Sequence, residues 1–136
     1  MKYKKQEIIK KLTNLFSHKQ EIILAYLFGS IAEGKTHKFS DVDVAVYYKK
    51  EPPLKHHLEL LNDVCGTLET DEVDVVNMNT ASPIIIHDIL SFGKLLICRD
   101  DNFYVNLRIK TLREYDDMMH ILKIQGKYIF NEAAHG

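Results

Sequence analysis

Asp41 and Asp43 stand two residues apart in the run Ser40-Asp41-Val42-Asp43-Val44-Ala45-Val46. Alternate residues of an extended chain point the same way. A strand here therefore projects two carboxylates from one face. Carboxylates that close repel one another unless a cation sits between them. Hard divalent ions such as Mg²⁺ take oxygen ligands, often one or two carboxylates plus substrate phosphates. Asp74, in Glu72-Val73-Asp74-Val75-Val76, is a third acid on an alternating stretch. It can complete a metal site or accept a proton from an attacking hydroxyl. Upstream lies Leu27-Phe28-Gly29-Ser30. Gly29 lets the backbone approach a ligand closely, and Ser30 adds a hydroxyl. A short helix starting after Ser30 would turn free backbone N–H groups towards an anion. Together these parts describe a phosphate cradle beside a metal site, and the chemistry that fits is phosphoryl or nucleotidyl transfer.

Elements must hold these residues in place. Ile8, Ile9, Leu12, Leu15 and Phe16 recur at helical steps from Lys5 to about His18. Ile22 to Phe28 is short and apolar, which predicts a buried strand, with helix as the alternative for its first residues; Gly29-Ser30 ends it, with room for a short helical turn through Glu33 before Gly34. Asp41 to Tyr48 and Val73 to Met78 alternate with period two and predict half-buried strands. After Pro52-Pro53 a helix is expected over Leu54 to Glu69, with Leu58, Leu61, Val64, Cys65 and Leu68 on its inner stripe. Ser82-Pro83 marks a helix start; that helix runs to about Phe92, where Gly93 stops it. Lys94 to Cys98 reads as a further strand. A last helix is expected from Phe103 to Phe130, with Leu107, Leu112, Tyr115, Met119 and Leu122 as buried positions. The interleaving predicts an α/β (α+β) fold, a small mixed sheet flanked by helices. Residues 1–100 read as the main domain and 101–136 as a C-terminal helical extension packed on it.

The 136 residues suffice for one domain with a core of its own. Eighteen basic side chains against nineteen acidic leave a formal net charge of -1, which argues against a general nucleic-acid coat. Cys65 and Cys98 are too few for a disulfide scaffold, and their apolar settings predict buried free thiols. No run approaches the ~20 apolar residues of a membrane span. The N-terminus lacks the apolar block of a signal peptide, so a cytoplasmic location is expected.

Gly29-Ser30, ten residues, then Asp41-x-Asp43 resembles the signature of the DNA polymerase beta-like nucleotidyltransferase superfamily. The order of strand, Gly-Ser, Asp-x-Asp strand, helix and third-Asp strand matches too. The small size resembles the minimal nucleotidyltransferase (MNT) group, and the likeness covers roughly residues 1–100. The resemblance implies the polymerase beta-like fold, two Mg²⁺ ions held by Asp41 and Asp43, and Asp74 sharing one metal and activating the acceptor hydroxyl. It implies that Gly29-Ser30 hold the nucleotide's β- and γ-phosphates. Many members carry arginines just after Gly-Ser; here Ile31, Ala32 and Glu33 follow, and Lys35 and Lys38 are the candidates for triphosphate charge. The implied reaction is AMP transfer from ATP to a hydroxyl. The implied acceptor is a tyrosine of a partner HEPN ribonuclease toxin, with this chain as antitoxin. A protein acceptor needs no basic groove, which suits the balanced charge. Small-molecule transfer of the antibiotic type and neutralisation by binding alone are the alternatives. Oligomeric state, whether homo- or hetero-oligomer, stays open.

Other residues have plainer readings. His56-His57 is expected at a solvated helix end, and His87 in the core or at the surface of its helix. Arg113 and His120 share a face on the last helix, an Arg-x6-His spacing taken as chance. Tyr47 and Tyr48 are expected to flank a sheet edge. The last helix, rich in Leu, Met and Tyr, suits core packing, partner binding or both.

Overall fold

Seven consecutive apolar residues, Ile22–Phe28, form the strand around which the chain is built (β1). A computed structural model describes residues 4–29 and 41–135. Ser30, Lys35, Lys38 and the turn expected through Glu33 lie outside the described residues. Helix α1 spans Lys5–Ser17, β2 Val42–Tyr48, α2 Leu54–Leu68 and β3 Val73–Asn77. Helix α3 follows at Pro83–Phe92, then β4 at Lys94–Cys98 and α4 at Asp101–His135. The sheet order is β3-β2-β1-β4. β1 is antiparallel to β2 and β4, while β2 and β3 run parallel, so the sheet is mixed. β1 is central and covered on both faces, which is why its residues do not alternate.

The two faces have separate covers. Ile8, Leu12 and Phe16 of α1 and Leu60, Val64 and Leu68 of α2 pack on Ala25, Leu27, Val42, Val44 and Val46. On the other side, Ile86, Ile89 and Leu90 of α3 and Leu107 of α4 pack on Leu24, Tyr26, Ala45 and Met78. Helix α3 starts as expected: Pro83 occupies its first turn and the Ser82 hydroxyl accepts from the Ile85 N–H at 3.4 Å. Arg99, just past β4, clamps the far end of the domain. Its guanidinium donates to the carbonyls of Ile22 (2.9 Å), Phe16 (2.8 Å) and Ser17 (3.1 Å), closing the end of α1.

Several expectations are corrected. The inner seam of α2 runs through Leu60, Val64 and Leu68, and Leu58 is 47% exposed. The seam shifts because His57 takes the inner position in the first turn. Its Nε2 donates to the Val75 carbonyl at 2.9 Å, so its Nδ1 accepts from the Tyr48 hydroxyl at 2.7 Å. His57 is thus a structural tie from α2 to the β3 edge, not part of a solvated helix end. Tyr47 and Tyr48 lie on an interior strand rather than a sheet edge. Tyr48 is buried on the α1/α2 side, and Tyr47 meets Phe103 edge-on at 4.8 Å. Burial and the charge of Glu21 push the Tyr48 phenol up to about 12. Cys65 and Cys98 are free but only half-buried.

The largest departure is in α4. Leu107 and Thr111 are buried, whereas Leu112, Met119 and Leu122 are 55%, 41% and 45% exposed. Length explains this: 35 residues make a helix of about 52 Å, and the ten residues of α3 span only about 15 Å. Their contact ends near the stacked rings of His87 and Tyr115, 3.6 Å apart and 7° from parallel. Beyond it α4 carries Ile121, Ile124, Tyr128, Ile129 and Phe130, all exposed. Arg113 and His120 are exposed as well. Among the described residues, no helix is long and apolar enough to cross a membrane.

Candidate active site

The register of the sheet assembles the site. Asp43 of β2 is aligned with Phe28 of β1 on one side and Asp74 of β3 on the other. Parallel, in-register neighbours point their side chains to the same face, so Asp43 and Asp74 project together. That face is the one covered further along by α3 and α4, as Ala45 in the second core shows. Asp41 lies just ahead of β2 and is exposed, as is Asp74 on the outermost strand; Asp43 between them is half-buried. Burial, then the charges of Asp74 and Asp41, hold the Asp43 carboxyl above the usual carboxylate range. Asp41 and Asp74 are therefore each within electrostatic reach of Asp43.

Gly29 closes the site from the β1 side. Its φ of +77° is a left-handed conformation that L side chains rarely adopt. A Cβ there would also collide with the Asp43 Oδ2, and would lie 3.2 Å from its Cγ. Glycine is required twice over, by the turn and by the carboxylate pressed against it. That near contact, with Phe28 as the register partner of Asp43, joins the Gly-Ser turn to the Asp-x-Asp strand in space. The ten-residue interval in sequence hides this adjacency.

The donor set suits a hard divalent cation, since it offers oxygens alone and a half-buried carboxylate whose charge is unfavourable without one. Among the described residues, no group of three or more His, Cys, Asp or Glu side chains is arranged to hold a metal ion, so Asp41, Asp43 and Asp74 do not converge on one cation position. Mg²⁺ itself is commonly held by one or two carboxylates, with phosphates and water completing its shell.

A shallow groove opens beside Gly29, lined by Phe28, Gly29, Ile85, Asp88 and Phe92. Sequence reasoning missed it because Ile85 and Phe92 look like ordinary apolar positions of α3. The available signal was their spacing. Ile85, Asp88 and Phe92 fall at i, i+3 and i+7, a face separate from the buried Ile86, Ile89 and Leu90.

The sequence profile of the polymerase beta nucleotidyltransferase family matches residues 10–102. The protein adenylyltransferase MntA of Shewanella oneidensis is 31% identical over 97 residues, covering 70% of this chain and 67% of the relative. A solved toxin–antitoxin complex with AMP-PNP contains a chain 25% identical, with a TM-score of 0.69 over 96% of this chain and 98% of that one. A second similar structure is the tri-AMPylated Shewanella oneidensis HEPN toxin in complex with MNT antitoxin. There the likeness is one of fold: TM-score 0.68 at 22% identity, over 95% of this chain and 98% of the other.

Proposed function

Because the chain belongs to the polymerase beta nucleotidyltransferase family, we propose that it transfers AMP from ATP to a tyrosine hydroxyl of a HEPN-type toxin, as the antitoxin of the pair. The observation that carries this reading is Asp43, flanked by Asp41 and Asp74 and pressed by Gly29. Asp41 and Asp43, with Asp74, would hold Mg²⁺, two ions by family resemblance. Gly29 and Ser30, with Lys35 and Lys38, would hold the triphosphate. Bound Mg²⁺ supplies charge neutralisation on the reacting phosphate.

The chain's own residues do the rest. The acceptor oxygen attacks the α-phosphorus as the bond to the departing pyrophosphate breaks. Asp74 takes the hydroxyl proton. Its place on the outermost strand leaves that side open to a large acceptor, and its side chain is exposed there. Residues 1–100 constitute the transferase domain and 101–136 the helical extension in this reading, and the protein works in the cytoplasm. Support for a protein acceptor comes from the adenylyltransferase relative and from the exposed apolar residues of α4, since exposed apolar patches commonly mark interaction surfaces.

The test is transfer of α-labelled ATP, with Mg²⁺, onto a purified HEPN-type toxin. Label should appear on the toxin and disappear with Asp41→Ala combined with Asp43→Ala. If that double variant neutralises the toxin as fully as wild type, neutralisation by binding alone replaces the catalytic reading.

A further inference from the structure

We infer that α4 pairs antiparallel with the α4 of a second copy of this chain, along a seam from Ile109 to Phe130. The pairing is independent of the transfer reaction. From Leu112 the chain steps alternately by three and four residues through Tyr115, Met119, Leu122, Gly126 and Ile129. That is the seam of a two-stranded coiled coil, carried for about three heptads. All of these but Tyr115 are exposed, because α3 ends too early to cover them.

Three observations commit the seam to a second copy running the other way. The first is charge. Between Ile109 and Phe130 the Lys, Arg, Asp and Glu side chains lie off the seam, except Asp116 and Lys123, which border it. Neither has an ion-pair partner among the described residues. An antiparallel pair centred between His120 and Ile121 sets Asp116 beside Lys123 of the second copy, and two-fold symmetry repeats the contact. A parallel pair in register would leave both charges without a partner. The second is size. The same centre faces Met119 with Leu122, Leu112 with Ile129, and Tyr115, the largest residue of the seam, with Gly126, the smallest. A Cβ on Gly126 would meet nothing within 4 Å. No packing within the chain therefore calls for a glycine there, where it weakens the helix. A second helix that approaches closely does. A parallel pair would set Gly126 against itself and leave a void. The third is shape. Between α3 and α4 lies a recess of about 290 Å³, with Leu90, Ser91, Ile109 and Leu112 among its walls. It opens at the end of the seam to which the pairing brings Ile129 and Phe130 of the second copy. Ile121 and Ile124 lie off the seam and stay exposed in the pair, so they remain for the toxin. A pair presents that face twice, and losing the pair also weakens capture on toxin-bearing beads through lost avidity.

Sedimentation equilibrium of the full chain, without toxin, reads the pairing. Wild type should sediment as a dimer at micromolar concentration, and Leu122→Asp with Ile129→Asp as a monomer. Asp116→Lys and Lys123→Asp should each weaken the dimer by about five- to thirtyfold, since each turns two attractions into repulsions. Mixed together, these two variants regain both attractions and should pair with each other as tightly as wild type. Gly126→Leu, which suits a lone helix, should also weaken the dimer. All these positions are exposed, so at dilutions where wild type too is monomeric their melts should at least match it. A wild-type chain that stays monomeric at high micromolar concentration overturns the pairing. So does a dimer indifferent to Leu122→Asp with Ile129→Asp, which places the contact elsewhere. Charge variants that weaken the dimer but do not recover on mixing overturn the antiparallel register. A monomeric wild type whose Leu122→Asp, Ile129→Asp variant loses a purified HEPN-type toxin assigns the seam to the toxin and overturns the pairing too. AMP transfer stands or falls separately, on the labelling experiment.

Discussion

Replacing Gly29 with alanine tests the link between the Gly-Ser turn and the acidic strand. Two penalties add. Forcing an L residue into the left-handed region costs about 1–2 kcal/mol, and the φ of +77° leaves no escape without moving the turn. The new methyl collides with the Asp43 carboxylate, whose Cγ and Cβ stand 3.2 and 3.3 Å from it. Rotating that side chain off its rotamer costs about 0.5–1.5 kcal/mol. Against these, alanine restricts the unfolded chain and returns about 0.4–1 kcal/mol. The net destabilisation is about 2 kcal/mol, read as a fall in Tm of about 5–10 °C for a chain of this size. Activity should suffer more than stability, because displacing a reacting group by about 1 Å costs about a hundredfold in rate. Thermal melts and AMP transfer to the toxin measure the two effects. A double-mutant cycle isolates the collision. In an Asp43→Ala background only the Cβ contact remains, so the Gly29→Ala penalty should shrink by about 0.5–1.5 kcal/mol. Wild-type stability and transfer in Gly29→Ala, or strict additivity in the cycle, would refute the close approach.

Asp43→Asn should make the protein more stable at neutral pH while abolishing transfer. Burial, with the charges of Asp74 and Asp41, raises the Asp43 pKa, so the folded state holds this proton where the unfolded chain has lost it. Stability then falls as pH climbs through the window above the ordinary carboxylate value. Urea melts across that window, without divalent ions, should show a shallower slope for the variant; a less stable variant at pH 7 contradicts the account. Arg99→Ala should cost about 2–3 kcal/mol by uncapping three carbonyls near the end of α1. A denaturant midpoint will show it, with the transfer rate per folded molecule unchanged. Leu122→Asp with Ile129→Asp should leave the melt within about 0.5 kcal/mol of wild type, since both side chains are exposed. The same pair should reduce toxin capture in a pull-down with the purified partner.

The strands and most helices were legible in the chain because their signals are local. Period-two alternation marked β2 and β3, an unbroken apolar run marked β1, and Ser82-Pro83 with Gly93 bracketed α3. The acids of the candidate site were legible for the same reason, since i and i+2 on a strand share a face wherever that strand goes. Which face each helix buries was less so. The seam of α2 moved when His57 found partners on β2 and β3, a pairing between residues 9 and 18 positions apart that no helical periodicity encodes. Leu112, Met119 and Leu122 carry the spacing of a buried stripe. Burial needs a neighbour, and α3 is too short to supply one.

By itself, then, the sequence determined which residues are candidates for the chemistry and which elements bear them, because residue type and period are properties of a few adjacent positions. Only the tertiary structure decided the distances that matter. Strand register set Asp43 against Asp74 and brought Gly29 onto the Asp43 carboxylate. The packing of α3 across the sheet opened the groove beside them. These depend on how distant segments meet, and a contact between residues far apart in sequence has no local pattern from which to be read.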